Sequence, residues 1–347
     1  EAVMAVDQNQ ENVKELLDPT TVDDKYWAAL VTLLTMALLF RGRYGMIQNI
    51  SLVLVVSFTF ITIGNVLSLQ ASKPFHISAD QFVRGLSLGL PRAIGDLDPL
   101  ATALAAFGII GVGASELITY PYWCLEKGYA KFTGQRTDEE SWAERARGWL
   151  RVMHVDAFLS MIVYTVATLA FFVMGVAVLY NEGRDPDGMR MVSTLATAYV
   201  PVFGEYARWL FLIGAVAVLY STFLVATAGN ARMYTDGLKV YRLMDPHNER
   251  YHDRSIRFFS MIIPVLCLIS FWGGVNPVTA VLIAGFMQAC MLPLIGIGAL
   301  YLRRTRTDPR LKPSKAWDAA LIISCIGLLM AGGWGAIQQV LKLFGQA

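Results

Sequence analysis

The residue with the greatest chemical capacity in this chain is Glu116, a carboxylate inside the apolar run Gly108-Ile-Ile-Gly-Val-Gly-Ala-Ser-Glu-Leu-Ile-Thr-Tyr-Pro121. Glycines at 108, 111 and 113 weaken a helix there, and Pro121 removes a backbone donor. A carboxylate within a hydrophobic span costs at least ~2.5–3.5 kcal/mol, so it marks a functional site by default. An unwound helix with a charge beside it is an arrangement that holds an ion at mid-membrane depth. The competing reading is a plain kink whose carboxylate is paired to a neighbouring helix.

The elements that must position Glu116 are read from hydropathy. Of 347 residues, 55% are hydrophobic and 16% charged, against about 25% charged in soluble domains. The reading is an all-α polytopic membrane protein, lodged in a lipid bilayer as one transport domain over 1–347. About eight apolar runs approach or reach the ~17–25 residues that span a bilayer. They cover 26–40, 45–69, 100–130, 152–180, 206–230, 256–272, 277–302 and 317–343. Lys and Arg concentrate between the third and fourth spans (Lys127 to Arg151), the fifth and sixth (Arg232 to Arg257) and the seventh and eighth (Arg303 to Lys315). The intervening loops 70–99, 181–205 and 273–276 are poorer in both. By the positive-inside rule the rich loops are cytoplasmic, and every loop agrees with that one topology. A multi-pass protein of the cell membrane is the expectation.

Other chemistries find no support. The four cysteines (Cys124, Cys267, Cys290, Cys325) lie in or beside apolar spans without C-x-x-C spacing and read as small core residues. The four histidines (His76, His154, His247, His252) lie in or near loops, and no H-E-x-x-H, G-x-S-x-G or phosphate-cradling glycine loop occurs. The chain is therefore not read as an enzyme, no cofactor is expected, and nothing points to nucleic acid. The opening Glu1-Ala-Val-Met-Ala-Val is no signal peptide and lacks an initiator Met; it reads as the start of an incomplete chain.

Two loops carry local expectations. Residues 138–149 place apolar side chains at helical spacing among charges, which predicts a short interfacial helix or a charged linker, with Trp142 and Trp149 at headgroup depth. Residues 181–188 lack the calcium-loop pattern and read as a solvated outer turn.

Several motifs in order bring a family into view: Phe107-Gly-Ile-Ile-Gly111, Asp156 opening the fourth span, Gly229-Asn-Ala231 ending the fifth, and Met291-Leu-Pro-Leu294 in the seventh. From about Trp27 to Leu343 the chain resembles the natural-resistance-associated macrophage protein (Nramp) family of divalent-metal transporters. The resemblance implies a leucine-transporter-like fold of two inverted repeats, each opening on a broken helix. If the Gly-Ile-Ile-Gly helix is the family's sixth, the first span here is its fourth. The expectation is then that the first three helices, with their Asp-Pro-Gly-x-Asn half of the metal site, are missing. Asp18-Pro-Thr20 and Asp98-Pro-Leu100 do not replace that motif and read as turns.

The departures shape the site. In ungapped register the family's methionine falls on Ser115, its proline on Glu116 and its histidine on Leu117. A hydroxyl and a carboxylate are hard oxygen ligands, suited to Mg²⁺, Ca²⁺ or Mn²⁺ where a thioether favours softer transition ions. Glu116, Ser115, Thr119 and backbone carbonyls freed around Gly113 and Ala114 are the expected half-site for a divalent cation. The family's seventh-span glutamine falls on Gly285, and Gln288 is the nearest amide, either facing the site one turn on or packing helices.

Other intramembrane polar residues have two readings each. Asp156 is either, as the family resemblance implies, an exit partner for a proton or ion, or an interfacial acid paired with Arg147 or Arg151. Tyr164, Thr165 and Thr168, and the stripe Ser221, Thr222, Thr227 and Asn230, are expected to pack helices. Asn65 and Asn276 are expected to bond backbone near span ends.

The function expected is a secondary transporter of a divalent cation of the Mn²⁺, Mg²⁺ or Fe²⁺ class, working by alternating access. An organic-solute or amino-acid symporter of the same superfamily and a non-transporting membrane sensor are the alternatives.

Overall fold

The computed structural model describes residues 23–41, 44–71, 75–85, 113–180, 195–196, 199–204, 206–245 and 248–343. The helices among them are α1 (Asp23–Arg41), α2 (Tyr44–Ala71), α3 (Ala79–Gly85), α4 (Ala114–Glu126), α5 (Glu140–Met174), α6 (Val200–Phe203), α7 (Tyr206–Val240), α8 (Glu249–Trp272), α9 (Pro277–Thr305) and α10 (Lys315–Leu343). A π-helical turn, Gly175–Tyr180, prolongs α5. The glycines at 108 and 111, Asp98, Asp18 and the 181–188 loop lie outside the described residues.

Four described stretches are long and apolar enough to cross a membrane: Glu140–Leu179, Trp209–Val240, Glu249–Trp272 and Thr279–Thr305. Of the most apolar part of each, only 28%, 22%, 11% and 24% is buried inside the protein. Apolar surface left uncovered on that scale requires lipid as its solvent. The helices α1, α2 and α10, with 19, 28 and 29 residues, match or exceed the ~20 residues that a bilayer core requires.

The observed helices depart from the hydropathy spans at their polar ends. The 138–149 segment is no separate interfacial helix: from Glu140 it is the first part of α5. No proline interrupts 140–152, so the backbone ladder continues through charged residues that hydropathy excludes. Likewise α7 extends to Val240, past the expected end at 230, where Arg242 takes a left-handed φ of 59° and the Leu243 N–H closes on Leu238 O at 2.9 Å. The helix expected to reach 130 ends earlier. Gly128 at φ +78° lets its N–H reach Leu125 O (3.0 Å) and the Tyr129 N–H reach Cys124 O (2.9 Å), a Schellman closure.

The chain forms two compact units. The first comprises residues 1–77 and 170–276 and holds α1, α2, α6, α7 and α8. Its core joins Phe58 and Leu69 of α2, Met174, Ala177, Val178 and Leu179 around the π-turn, Ala196, Tyr199 and Phe211. Phe58 lies 5.9 Å from Phe171, 6.2 Å from Tyr199 and 6.3 Å from Phe211, ring centre to ring centre. Thr62 and Tyr199 share a hydrogen bond of 2.9 Å between their buried hydroxyls. Asn65, expected to bond backbone, donates its amide to the Met174 sulfur at 3.1 Å. Ser221, Thr222 and Thr227 donate to Val218 O, Val218 O and Phe223 O on their own helix. Cys267 of α8 is exposed, unlike the core residue expected from sequence.

The second unit comprises residues 78–169 and 277–347 and holds α3, α4, α9, α10 and most of α5. Its basic loops are pinned by Asp308, whose carboxylate is buried and lies 3.0 Å from Arg136 and 3.1 Å from Arg310. Arg310 also donates to the carbonyls of Thr137, Asp138 and Glu139 and stands 5.2 Å over the Trp142 ring. Trp142 is consequently packed against Ala143, Ala146 and Leu311, with 8% of its surface open. The Arg310 hydrogen bonds hold Asp308 down to about 2, against an ordinary 3.8. A depressed carboxyl contributes stability that is complete above the unfolded pKa and vanishes as pH falls through the folded one. Melting temperature is therefore expected to fall between pH 4 and pH 2, and Asp308→Asn is expected to lower it at pH 6 while flattening that acid limb.

Candidate functional site

Helix α4 begins at Ala114, and Gly113 before it has an extended backbone (φ −75°, ψ 170°) and gives no side-chain cap. A β-carbon on Gly113 would overlap both Gln288 Oε1 and Glu116 Oε2, the far ends of two flexible side chains that lie against this backbone. The site is thus built from the first turn of α4 and the middle of α9, both in the second unit.

Three side-chain oxygens converge on this point. Ser115 Oγ lies 3.0 Å from Glu116 Oε2 and 3.1 Å from Gln288 Oε1. The Ser115 N–H donates to the same Gln288 oxygen at 3.4 Å, which turns the oxygen end of the amide inward. One hydroxyl proton therefore faces two acceptors and satisfies one of them at a time. Such an excess of oxygen lone pairs is a donor set for a hard cation. Glu116 is exposed and forms no ion pair among the described residues.

The remaining sequence-derived candidates fare differently. Ala114 is fully buried as the first helical residue. The carbonyls expected to be free around it are not: Gly113 O accepts from the Leu117 N–H at 3.2 Å, and Ala114 enters the helical ladder. This end of a helix offers N–H donors, not carbonyls. The carbonyl that loses its helical donor is that of Leu117, because Pro121 is accommodated inside α4 without an N–H. Thr119 is buried and donates to Ser115 O (3.0 Å) and Glu116 O (3.3 Å) on its own helix, not to the Glu116 carboxylate or Gln288. Gln288 is brought to the site.

Asp156 pairs with neither Arg147 nor Arg151. It accepts from Tyr120 Oη at 3.1 Å and stands 4.0 Å from Lys127 Nζ. Sequence reasoning missed both partners. The one available signal was the placement of Tyr120 and Lys127 four and eleven residues after Glu116, on one face of α4. Among the described residues no group of three or more His, Cys, Asp or Glu side chains is assembled.

Long apolar helices that leave most of their surface to lipid define a multi-pass membrane protein, with an exposed carboxylate, Glu116, in the first turn of α4. A family model described as natural resistance-associated macrophage protein-like matches residues 16–338, and the chain belongs to that family. No curated protein and no solved structure matches it. Membership brings a leucine-transporter-like polytopic fold, embedding in a membrane, a divalent metal as substrate, and transport in place of enzymatic chemistry.

Proposed function

We propose that this chain is a secondary transporter that carries a hard or borderline divalent cation of the Mn²⁺, Mg²⁺ or Fe²⁺ class through a cell membrane by alternating access. The observation that carries this reading is the cluster of Glu116 Oε2, Ser115 Oγ and Gln288 Oε1 beside Gly113 at the start of α4. Glu116 supplies charge, Ser115 and Gln288 supply neutral oxygens, and water completes the shell on the side described here. Membrane potential is a sufficient driving force. One charge crossing 100 mV is worth about 2.3 kcal/mol, and a divalent ion gains about twice that.

An amino-acid symporter is disfavoured by the same geometry. In such carriers a broken-helix N-terminus receives the substrate carboxylate, and here the protein's own Glu116 occupies that turn. The test is uptake of isotopic Mn²⁺ into liposomes holding the purified full chain under an inside-negative potential. Saturable uptake, inhibited by Mg²⁺ or Fe²⁺ and indifferent to amino acids, is expected. Uptake of an amino acid, or no uptake of either class, rejects the reading.

A further inference from the structure

The polar end of the α9–α10 pair holds a buried donor without an acceptor. Arg303 lies in the last turn of α9, and α10 opens at Lys315. Arg303 Nη2 donates to Pro313 O at 2.9 Å and to the Asp318 carboxylate, and Nε pairs with the same carboxylate. Nη1 is buried and has no hydrogen-bond partner among the described residues. A buried N–H left in that state bears its full desolvation cost, so the position calls for a further acceptor. Arg303 also lines a cleft of about 240 Å³, and one face of α10 forms much of the wall: Trp317, Ala320, Leu321 and Ser324, at helical spacing. That wall is chiefly hydrocarbon. Water is a poor occupant, since a held water needs about two to four polar partners and most of this surface offers none. On the connecting loop and its flanks, Arg304, Arg306, Lys312 and Lys315 are exposed and form no ion pair among the described residues.

We propose that this cleft binds the headgroup of an anionic phospholipid from the leaflet that the basic loops face. A phosphate oxygen accepts from Arg303 Nη1, and the start of an acyl chain lies along Trp317, Ala320, Leu321 and Ser324, about 10 Å of α10. The exposed cations draw the negative headgroup in, as basic clusters beside a membrane span do. Asp318 and Pro313 O fix the guanidinium in place, and Asp318 cancels its charge. The phosphate is therefore held by a hydrogen bond, and the preference for a negative lipid comes from the loop. A zwitterionic lipid offers the same phosphate and loses the attraction of the loop; a free phosphate ion loses the hydrocarbon wall. The site stands independently of the reading of Glu116 as a cation ligand.

Native mass spectrometry of the full chain in detergent counts retained lipid, with phosphatidylglycerol, phosphatidylcholine and inorganic phosphate as the probes. Wild type is expected to retain phosphatidylglycerol at a concentration about tenfold below that required for phosphatidylcholine, and millimolar inorganic phosphate is expected not to displace it. Arg303→Gln alone would strand the Asp318 charge, so the informative comparison is Asp318→Asn against Arg303→Gln combined with Asp318→Asn, each checked for folding by size-exclusion chromatography. Asp318→Asn is expected to hold phosphatidylglycerol at least as tightly as wild type, and the double variant to require an about tenfold higher concentration. Ala320→Trp fills the cleft from an exposed position and leaves the Arg303–Asp318 pair in place; it is expected to weaken retention to a similar degree, and it carries the test if the pair variants do not fold. Equal retention of the two lipids, retention unchanged in the double variant or in Ala320→Trp, or displacement by inorganic phosphate overturns the proposal.

Discussion

Glu116→Gln is expected to lower kcat/KM for Mn²⁺ uptake at least about a hundredfold, near 3 kcal/mol at ~1.4 kcal/mol per decade, with the protein still folded. The substitution keeps the shape of the side chain and removes its charge. The Ser115 hydroxyl at 3.0 Å is retained as a neighbour, so the first turn of α4 has no reason to unwind. What is lost is the negative charge that holds a divalent ion against its hydration shell. Glu116→Asp keeps the charge and shortens its reach, so it should retain part of the activity. Gly113→Ala gives a companion result by a steric route. Its added methyl would push aside the ends of Gln288 and Glu116, both flexible side chains, while the extended backbone at φ −75° accepts alanine. Uptake should fall with little change in melting temperature. Wild-type uptake by Glu116→Gln would remove the carboxylate from the site.

Gly214→Ala is expected to produce the largest loss of stability, about 1–3 kcal/mol of over-packing, seen as a lower melting temperature in detergent. The contrast with Gly113 lies in what the new methyl meets. At Gly214 of α7 it would overlap the ring of Phe58 on α2, at Cγ, Cδ2 and Cε2. Phe58 is 6% exposed and walled by Phe171, Tyr199 and Phe211, so the ring has nowhere to turn. An interior packed to crystal density passes such a displacement on to its neighbours. A melting temperature equal to wild type would show that the aromatic cluster yields more than its packing implies.

The legible parts of this protein are those set by local chemistry. Apolar runs long enough for a bilayer announce helices, because in lipid each backbone group must be satisfied within its own segment. The starts of α2 and α9 fall within a residue of the expected positions for that reason. The amino-terminal extension of α5 to Glu140 was not legible, since hydropathy records where lipid ends and not where hydrogen bonding ends. The burial of Trp142 was not legible for a different reason. Amphipathic spacing and a tryptophan suit a membrane interface, and they equally suit a packing face; Arg310 and Leu311, far along the chain, decided between them.

The candidate site divides along the same line. Sequence alone determined that a carboxylate stands in a glycine-rich apolar segment, that its neighbour is a hydroxyl residue, and that the chain resembles the Nramp family. These depend on residues adjacent in the chain or on patterns kept in order along it. Tertiary structure alone decided that Gln288, 173 residues after Ser115, turns its oxygen to that hydroxyl, that Thr119 turns back to its own helix, and that Asp156 meets Tyr120 and Lys127 rather than an arginine. Which helices approach closely enough for side chains to share a proton is fixed by packing between distant segments, and hydropathy carries no record of it.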